Sequence, residues 1–328
     1  MTYQKLVESV PNFSTSDPEV IAAITRAIDQ FVDTKVLHVD PDRDYNRTVI
    51  TFVTTLDLII EVSVAAITTA LEQIDMQYHH GAHPRIGAVD VFPLIPLRQT
   101  TYQELIPYSH EIAEIIGNTM QVPVFLYRQS ARVPTRHSLT EVRKRQYEGL
   151  AEKLKDPDWI PDFGPRRFVP KSGAVVIGVR NFLIAFNVNL GTTDVEIATA
   201  IARRIRTSGY IDSEGNRVPG QLHAIQAMGV RMRDKGDFTQ VSTNILDFEH
   251  GSSMMDVYTA CQQFTSIYNT TVTGSELVGL IPQQAINMLQ QQYHLSSVEE
   301  LIAKINLNDL YTFIPEEKIL DILVDQYF

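Results

Sequence analysis

Arg47-Thr48-Val49-Ile50-Thr51-Phe52-Val53-Thr54 is the stretch that decides how this chain folds. It is almost wholly β-branched with one aromatic, a composition that suits a pleated, half-buried strand. Val36 to Asp40 reads as its partner strand, with the polar residues 41–46 turning between them. On the N-terminal side, Val20, Ile21, Ile24, Ile28 and Phe31 follow helical spacing. Ser16 or Asp17 stands ready as cap, with Pro18 at a first helical position. On the C-terminal side, Leu56 to Met76 is a long helix rich in Ala and Leu. Two outer strands complete the block, Lys5 to Val10 and Ile86 to Ile95, closed by Pro11 and Pro96. The order is β-α-β-β-α-β.

Beyond residue 173 the same order returns. Ala174 to Leu190 is very apolar and reads as a hairpin-like strand region about Arg180-Asn181. Thr193 to Arg206 is a helix with Thr192 or Thr193 near its cap. Leu222 to Met232 and Phe238 to Leu246 form a second hairpin, Met254 to Tyr268 a helix, and Thr271 to Ile281 a last strand. The closing strands share a tail, Val91-Phe92-Pro93-Leu94-Ile95-Pro96 against Leu277-Val278-Gly279-Leu280-Ile281-Pro282. A repeated element order with a repeated tail predicts an α+β fold of two ferredoxin-like βαββαβ subdomains, residues 1–173 and 174–328. Lys153 to Gly173 carries Pro157, Pro161, Pro165 and Pro170 and reads as a constrained connector. Its Trp159, Phe163 and Phe168 are costly to leave in water, so it is expected to pack in the groove between the halves. Three short helices are expected after Gln283, one capped at Ser296-Ser297 and one opened by Pro315.

Composition narrows the function. The chain has 328 residues and a net charge of −11, which repels polyanions and argues against nucleic acid as a partner. Cys261 is the one cysteine, so no intramolecular disulfide can form, and a reducing cytoplasm is expected. The N-terminus lacks a signal pattern, and no apolar run reaches the roughly 20 residues a bilayer requires. Nothing follows the Gly-rich nucleotide loops or the Gly-x-Ser-x-Gly elbow.

The densest polar cluster is Tyr78-His79-His80-Gly81-Ala82-His83-Pro84-Arg85 and the run on to Asp90. Imidazole exchanges protons near neutrality, and a Pro-flanked turn is a rigid mount for it. A polar turn without chemistry is the bland alternative. A metal-dependent amidohydrolase using His79, His80 and His83 is another, although no His-Glu-x-x-His pattern is present. Asp40, Asn46 and Arg47 lie at strand ends, where they could orient an imidazole or a substrate. Two long stretches lack any acid: Phe163 to Thr193, with Arg166, Arg167, Lys171 and Arg180, and Ile115 to Thr140, with Arg128, Arg132 and Arg136. In an acidic chain these suggest local carboxylate pockets, against the plainer reading of a solvated basic face.

These segments resemble a known family along nearly the whole chain. Glu8 to Ser14, Asn46 to Val49, His80 to Asp90, Pro161 to Pro165, Phe182 to Leu190 and Gln240 to Asn244 look like the corresponding segments of glutamate formimidoyltransferases. Two positions depart from it: Ala82 where an acid is expected before the catalytic histidine, and Ser172 where an aromatic is expected. The resemblance implies transfer of a formimino group from N-formiminoglutamate to N5 of tetrahydrofolate, the co-substrate, with no metal. It also implies a folate groove or tunnel between the two subdomains and a homodimer. A catalytic histidine at His83 follows from it. So does a folate segment at Gly164, Pro165, Arg166, Arg167, Phe168, Val169, Pro170, Lys171, Ser172 and Gly173. Asp40 would orient His83, and Asn46, Arg47 or Arg85 would hold substrate. A formyl transfer on the same scaffold is the near alternative. Animal relatives carry a fused cyclodeaminase; with this sequence closing at Phe328, a separate one is expected to act on the product.

Overall fold

A computed structural model describes residues 4–328 as two compact α/β units, the first running to Arg180 and the second spanning Asn181–Tyr327. In the first, β1 (Leu6–Ser9) and β2 (Asn12–Phe13) are one strand path interrupted at Pro11, which has no N–H to donate. Helix α1 (Pro18–Asp29) follows; Asp17 caps it by accepting from the Glu19 amide at 2.8 Å, and it buries Ile21, Ile24 and Ile28. Strands β3 (Thr34–Asp42) and β4 (Arg47–Thr55) pair antiparallel, helix α2 (Ile59–Gln73) returns, and β5 (Val89–Pro96) completes the expected set. Then come elements the sequence reading did not identify: α3 (Tyr102–Thr119), opened by a Thr101/Glu104 capping box, and β6 (Val124–Leu126). Two short helices, α4 (Leu139–Arg143) and α5 (Leu150–Lys153), precede β7 (Val175–Val179).

The seven strands lie in the order β3, β4, β1 with β2, β5, β7, β6. The first four positions of that order, β1 with β2 counted as one, alternate in direction, whereas β7 runs parallel to both β5 and β6. This corrects the hairpin expected over residues 174–190. Its first half is the last strand inserted into the first sheet, so the boundary moves from Gly173 to Arg180. One face of the sheet carries α1, α2 and α3, with Ile24, Phe52, Ile67, Phe92, Ile112 and Ile177 in a single core.

The other face, at the β5–β7–β6 end, is covered by α4, α5 and the Pro-rich segment, around Val91, Phe125, Val142, Leu150 and Val176. The segment is thus a layer of the first unit, not a free linker. Trp159 meets Phe125 edge-on at 6.0 Å, Phe168 meets Tyr147 at 5.3 Å, and the Val124 amide donates to the Phe163 carbonyl.

In the second unit β8 (Ile184–Leu190) leads to α6 (Val195–Ile205), capped by Asp194 and not by the expected Thr192 or Thr193. A small hairpin, β9 (Tyr210–Ile211) and β10 (Arg217–Val218), precedes β11 (Ile225–Met232) and β12 (Phe238–Ile245). Helix α7 (Met254–Thr265) and β13 (Val272–Val278) close a four-stranded antiparallel sheet ordered β11, β12, β8, β13. Four helices follow where three were expected, α8 (Gln283–Tyr293), α9 (Val298–Lys304), α10 (Pro315–Lys318) and α11 (Leu320–Tyr327); Ser297 caps α9 and Pro315 opens α10, as expected. The alternate face of this sheet is polar yet buried. Gln240 bridges Asn189 and Glu276, Asn187 also reaches Glu276, and Lys235 neutralises that carboxylate at 2.7 Å.

Candidate active site

The His79–His83 turn is docked onto the β3–β4 turn by backbone bonds. The Ala82 amide donates to Asp44, and a side chain at Gly81 would overlap the Tyr45 carbonyl. Asn46 is the bracket. It sits in the left-handed region at φ 45°, where Asn is tolerated, and its Oδ1 accepts from both the amide and the hydroxyl of Ser16. Its Nδ2 donates to the His80 carbonyl at 2.8 Å, and its own carbonyl accepts from His79 Nε2 at 2.8 Å.

Arg85 is similarly occupied. Its Nε donates to His79 Nδ1 at 3.2 Å, and its two terminal nitrogens grip Glu148 at 2.9 and 2.6 Å. With 4% of its surface exposed, Arg85 is a strut between the histidine turn and residues 146–148, and Asn46 a second one. The structure therefore gives both residues a different task from the expected grip on substrate. Both ring nitrogens of His79 are spent in these bonds. Among the described residues His79, His80 and His83 form no group that could hold a metal ion, which removes the geometry the amidohydrolase reading needs.

His83 is held differently. Its Nε2 lies 3.2 Å from Oδ2 of Asp90, the second residue of β5, and Tyr45 packs edge-on against its ring at 5.9 Å. Only 14% of its side chain meets solvent. Burial, reinforced by the guanidiniums of Arg47 and Arg143 and opposed by the Asp90 bond, lowers its pKa to about 4. At neutral pH the imidazole is uncharged. Asp90 is fully buried; burial alone would raise its pKa, but Arg143 and His83 outweigh that and hold it below the usual value. The carboxylate on His83 is therefore Asp90. The expectation that Asp40 orients this ring does not hold. Asp40 is on β3, opposite Val49, while the ring's Nε2 is taken by Asp90. Asp90 was within the quoted histidine run, and its position seven residues after His83, at the start of a strand, was the available signal.

Arg47, at the head of β4, is 9% exposed. Its guanidinium stands over the Tyr45 ring at 5.3 Å, and its Nε has no hydrogen-bond partner among the described residues. A desolvated cation with a vacant donor beside a neutral imidazole is built to receive an anion. The 164–173 segment is mixed. Gly164 and Gly173 have φ of +78° and +68°, and a side chain on either would overlap the carbonyl of Val122 or Ile86. Arg166 donates to the carbonyls of Leu154 and Lys155, and Lys171 to that of Glu72. Pro165, Val169 and Ser172 pack without charge, Pro170 accepts from the Tyr147 hydroxyl at 2.6 Å, and Arg167 is exposed with no hydrogen-bond partner among the described residues. Of the acid-free stretch before it, Arg136 is buried against Asp162 at 2.6 Å, so it is a structural ion pair and not a pocket.

Taken together, a two-unit α/β chain presents a buried neutral imidazole on a charged carboxylate, next to an unsatisfied guanidinium. That is the equipment of a protein moving protons on an anionic substrate. Residues 6–180 match the N-terminal subdomain of the formiminotransferase domain and residues 185–325 the formiminotransferase domain that follows it. The chain belongs to the formiminotransferase family. A glutamate formimidoyltransferase of Streptococcus pyogenes is 37% identical over 88% of this chain and 93% of its own length. One from Thermoplasma acidophilum is 36% identical over 88% and 92%. The formimidoyltransferase-cyclodeaminase of Rattus norvegicus is 39% identical over 98% of this chain, which spans 60% of that longer relative. Among the described residues no helix is long and apolar enough to cross a membrane.

Proposed function

We propose that this protein is a glutamate formimidoyltransferase, taking the formimino group of N-formiminoglutamate to N5 of tetrahydrofolate. The observation that carries the reading is His83, buried, neutral and hydrogen-bonded to Asp90, in a chain of this family. N5 attacks the carbon of the protonated amidine, whose C=N pair moves onto the imino nitrogen, while Nδ1 of His83, the nitrogen not engaged by Asp90, takes the N5 proton. The tetrahedral carbon then carries N5, the imino nitrogen and the glutamate nitrogen. His83 returns the same proton to the glutamate nitrogen, the C–N bond to glutamate breaks, and 5-formiminotetrahydrofolate remains. A conjugate acid as strong as this buried imidazolium donates readily to a leaving amine. Arg47 receives a carboxylate of formiminoglutamate. The Gly164–Gly173 segment meets the folate: its glycines serve the backbone turn, while Arg167, free and exposed, is suited to the folate's glutamyl tail.

Both units are read as ferredoxin-like, supported by the antiparallel order β3, β4, β1 with β2, β5 within the first sheet and β11, β12, β8, β13 in the second. A homodimer in the cytoplasm and a cyclodeaminase activity consuming the product complete the proposal, following the family resemblance. The test is a spectrophotometric transfer assay with formiminoglutamate and tetrahydrofolate, comparing the natural chain with His83→Ala. Transfer by the former and its loss in a variant that still binds folate supports the reading. No transfer with formiminoglutamate, but transfer with formylglutamate, replaces it with formyl transfer.

A further inference from the structure

We propose that Arg143 and Asp90 are positioning residues that lock the His83 proton on Nε2, leaving Nδ1 as the free base. The inference rests on the reading of His83 above and deepens it, assigning to Arg143, through Asp90, the setting of the tautomer.

Asp90 is 0% exposed and its two oxygens accept from four donors. The Ile86 amide and Arg143 Nε reach Oδ1, each at 3.1 Å; an Arg143 terminal nitrogen and His83 Nε2 reach Oδ2. No lone-pair position is left for a proton, so the carboxylate is an obligatory acceptor and Nε2 must donate. A carboxylate bound by imidazole alone would favour imidazolium, since a buried anion seeks a cation. Here Arg143 already supplies that cation. The imidazole gains orientation from Asp90 without being driven to protonate.

The arginine is itself held firmly. Val142 is buried in the core beneath the second sheet face. The Lys153 ammonium donates to the carbonyls of Glu141, Val142 and Lys144, at 2.8, 2.7 and 3.2 Å, on both sides of Arg143. Lys153 also stands 3.5 Å from the Trp159 ring centroid. The backbone then turns through Arg145 and Gln146 at φ 73° and 53°, and Gln146 and Glu148 reach Arg85. The charged groups acting on His83 are Asp90 from β5, Arg143 from α4 and Arg47 from β4, with the Tyr45 ring at its edge. The two arginines act in the same direction, against protonation.

The test uses the full chain labelled with ¹⁵N-histidine, the His83 signals being assigned by their loss in His83→Gln. In the natural protein the ring should remain neutral, with its proton on Nε2, from about pH 5.5 to 8. Arg143→Met should raise the His83 titration into the neutral range; transfer near pH 6 should then fall about tenfold and recover toward pH 8.5. Arg143→Lys should restore part of the natural pH profile, because the charge returns without the fork. Asp90→Asn should lower turnover and mix the two tautomers. The proposal is overturned if the natural ring carries its proton on Nδ1, or if Arg143→Met lowers turnover equally at every pH with the titration unmoved. The spectra need no turnover. A chain with the expected tautomer and no transfer would therefore sink the assigned reaction alone, and one with transfer and the wrong tautomer would sink only this inference.

Discussion

At His83 two energies meet, one of catalysis and one of stability. Replacement by Ala should lower turnover by about 10²–10⁴, the usual worth of a positioned acid–base group, measured by the transfer assay. The folded pKa of about 4 lies below the unfolded value near 6.5, so the folded state binds fewer protons in between. Its stability contribution is complete above that unfolded value and is lost as pH falls through the folded one. Urea unfolding at stepwise lower pH should show a loss on the order of 3 kcal/mol from this group, absent in His83→Gln. The two arginines separate cleanly. Arg47→Met should raise KM for formiminoglutamate and leave the melting temperature nearly unchanged. Arg85→Met leaves His79 Nδ1 without its donor and should destabilise by about 1–3 kcal/mol with KM for formiminoglutamate near normal. Thermal melts beside kinetics decide both.

Among the elements, the two β-α-β-β-α-β passages were legible because strand and helix periods alternate clearly there, and α1 shows its Asp-Pro start in plain view. The three-residue β6 offers too short a pattern to read. β7 was visible as an apolar run, but period alone does not say which sheet a strand joins, so it merged with β8 into one hairpin. The same limit explains Asp40 and Asp90. Each is an acid at the end of a strand, and only tertiary placement puts one of them against His83. The Pro-rich segment's aromatics are half-buried against the first sheet, whose strands, far away in sequence, no local pattern identifies as their partners. One glycine in that segment tests the packing. Gly164→Ala combines a strained φ with overlap of the Val122 carbonyl, and should cost roughly 1–3 kcal/mol in chemical denaturation. An unchanged midpoint would mean the segment is not seated as described.

On the scale of the whole molecule, the division after Arg180 makes a direct prediction about fragments. A chain ending after Arg180 retains every strand of the first sheet. One ending after Gly173 lacks β7, the strand that joins β5 to β6, and exposes the apolar edges of both. The former should give dispersed amide resonances and a cooperative melt, and the latter should aggregate. Equal behaviour of the two would refute the assignment of residues 174–180 to the first unit. Charge and cysteine content, by contrast, place nothing in space.

The insertion of β7 also sets a clock on biosynthesis. About 80 residues separate the end of β5 from the strand that must lie beside it. At ribosomal speeds of about 5–20 residues per second, a nascent chain waits several seconds with the β5 edge unpaired. Parallel pairing across so long a separation is slow to form in any case. During that interval the chain depends on α3, already emerged, to shield the sheet, and on whatever holds newly made proteins apart from one another. Slowing translation between the codons for Pro96 and Val179 would prolong that exposure, so synonymous codon changes there should lower soluble yield without altering a single side chain.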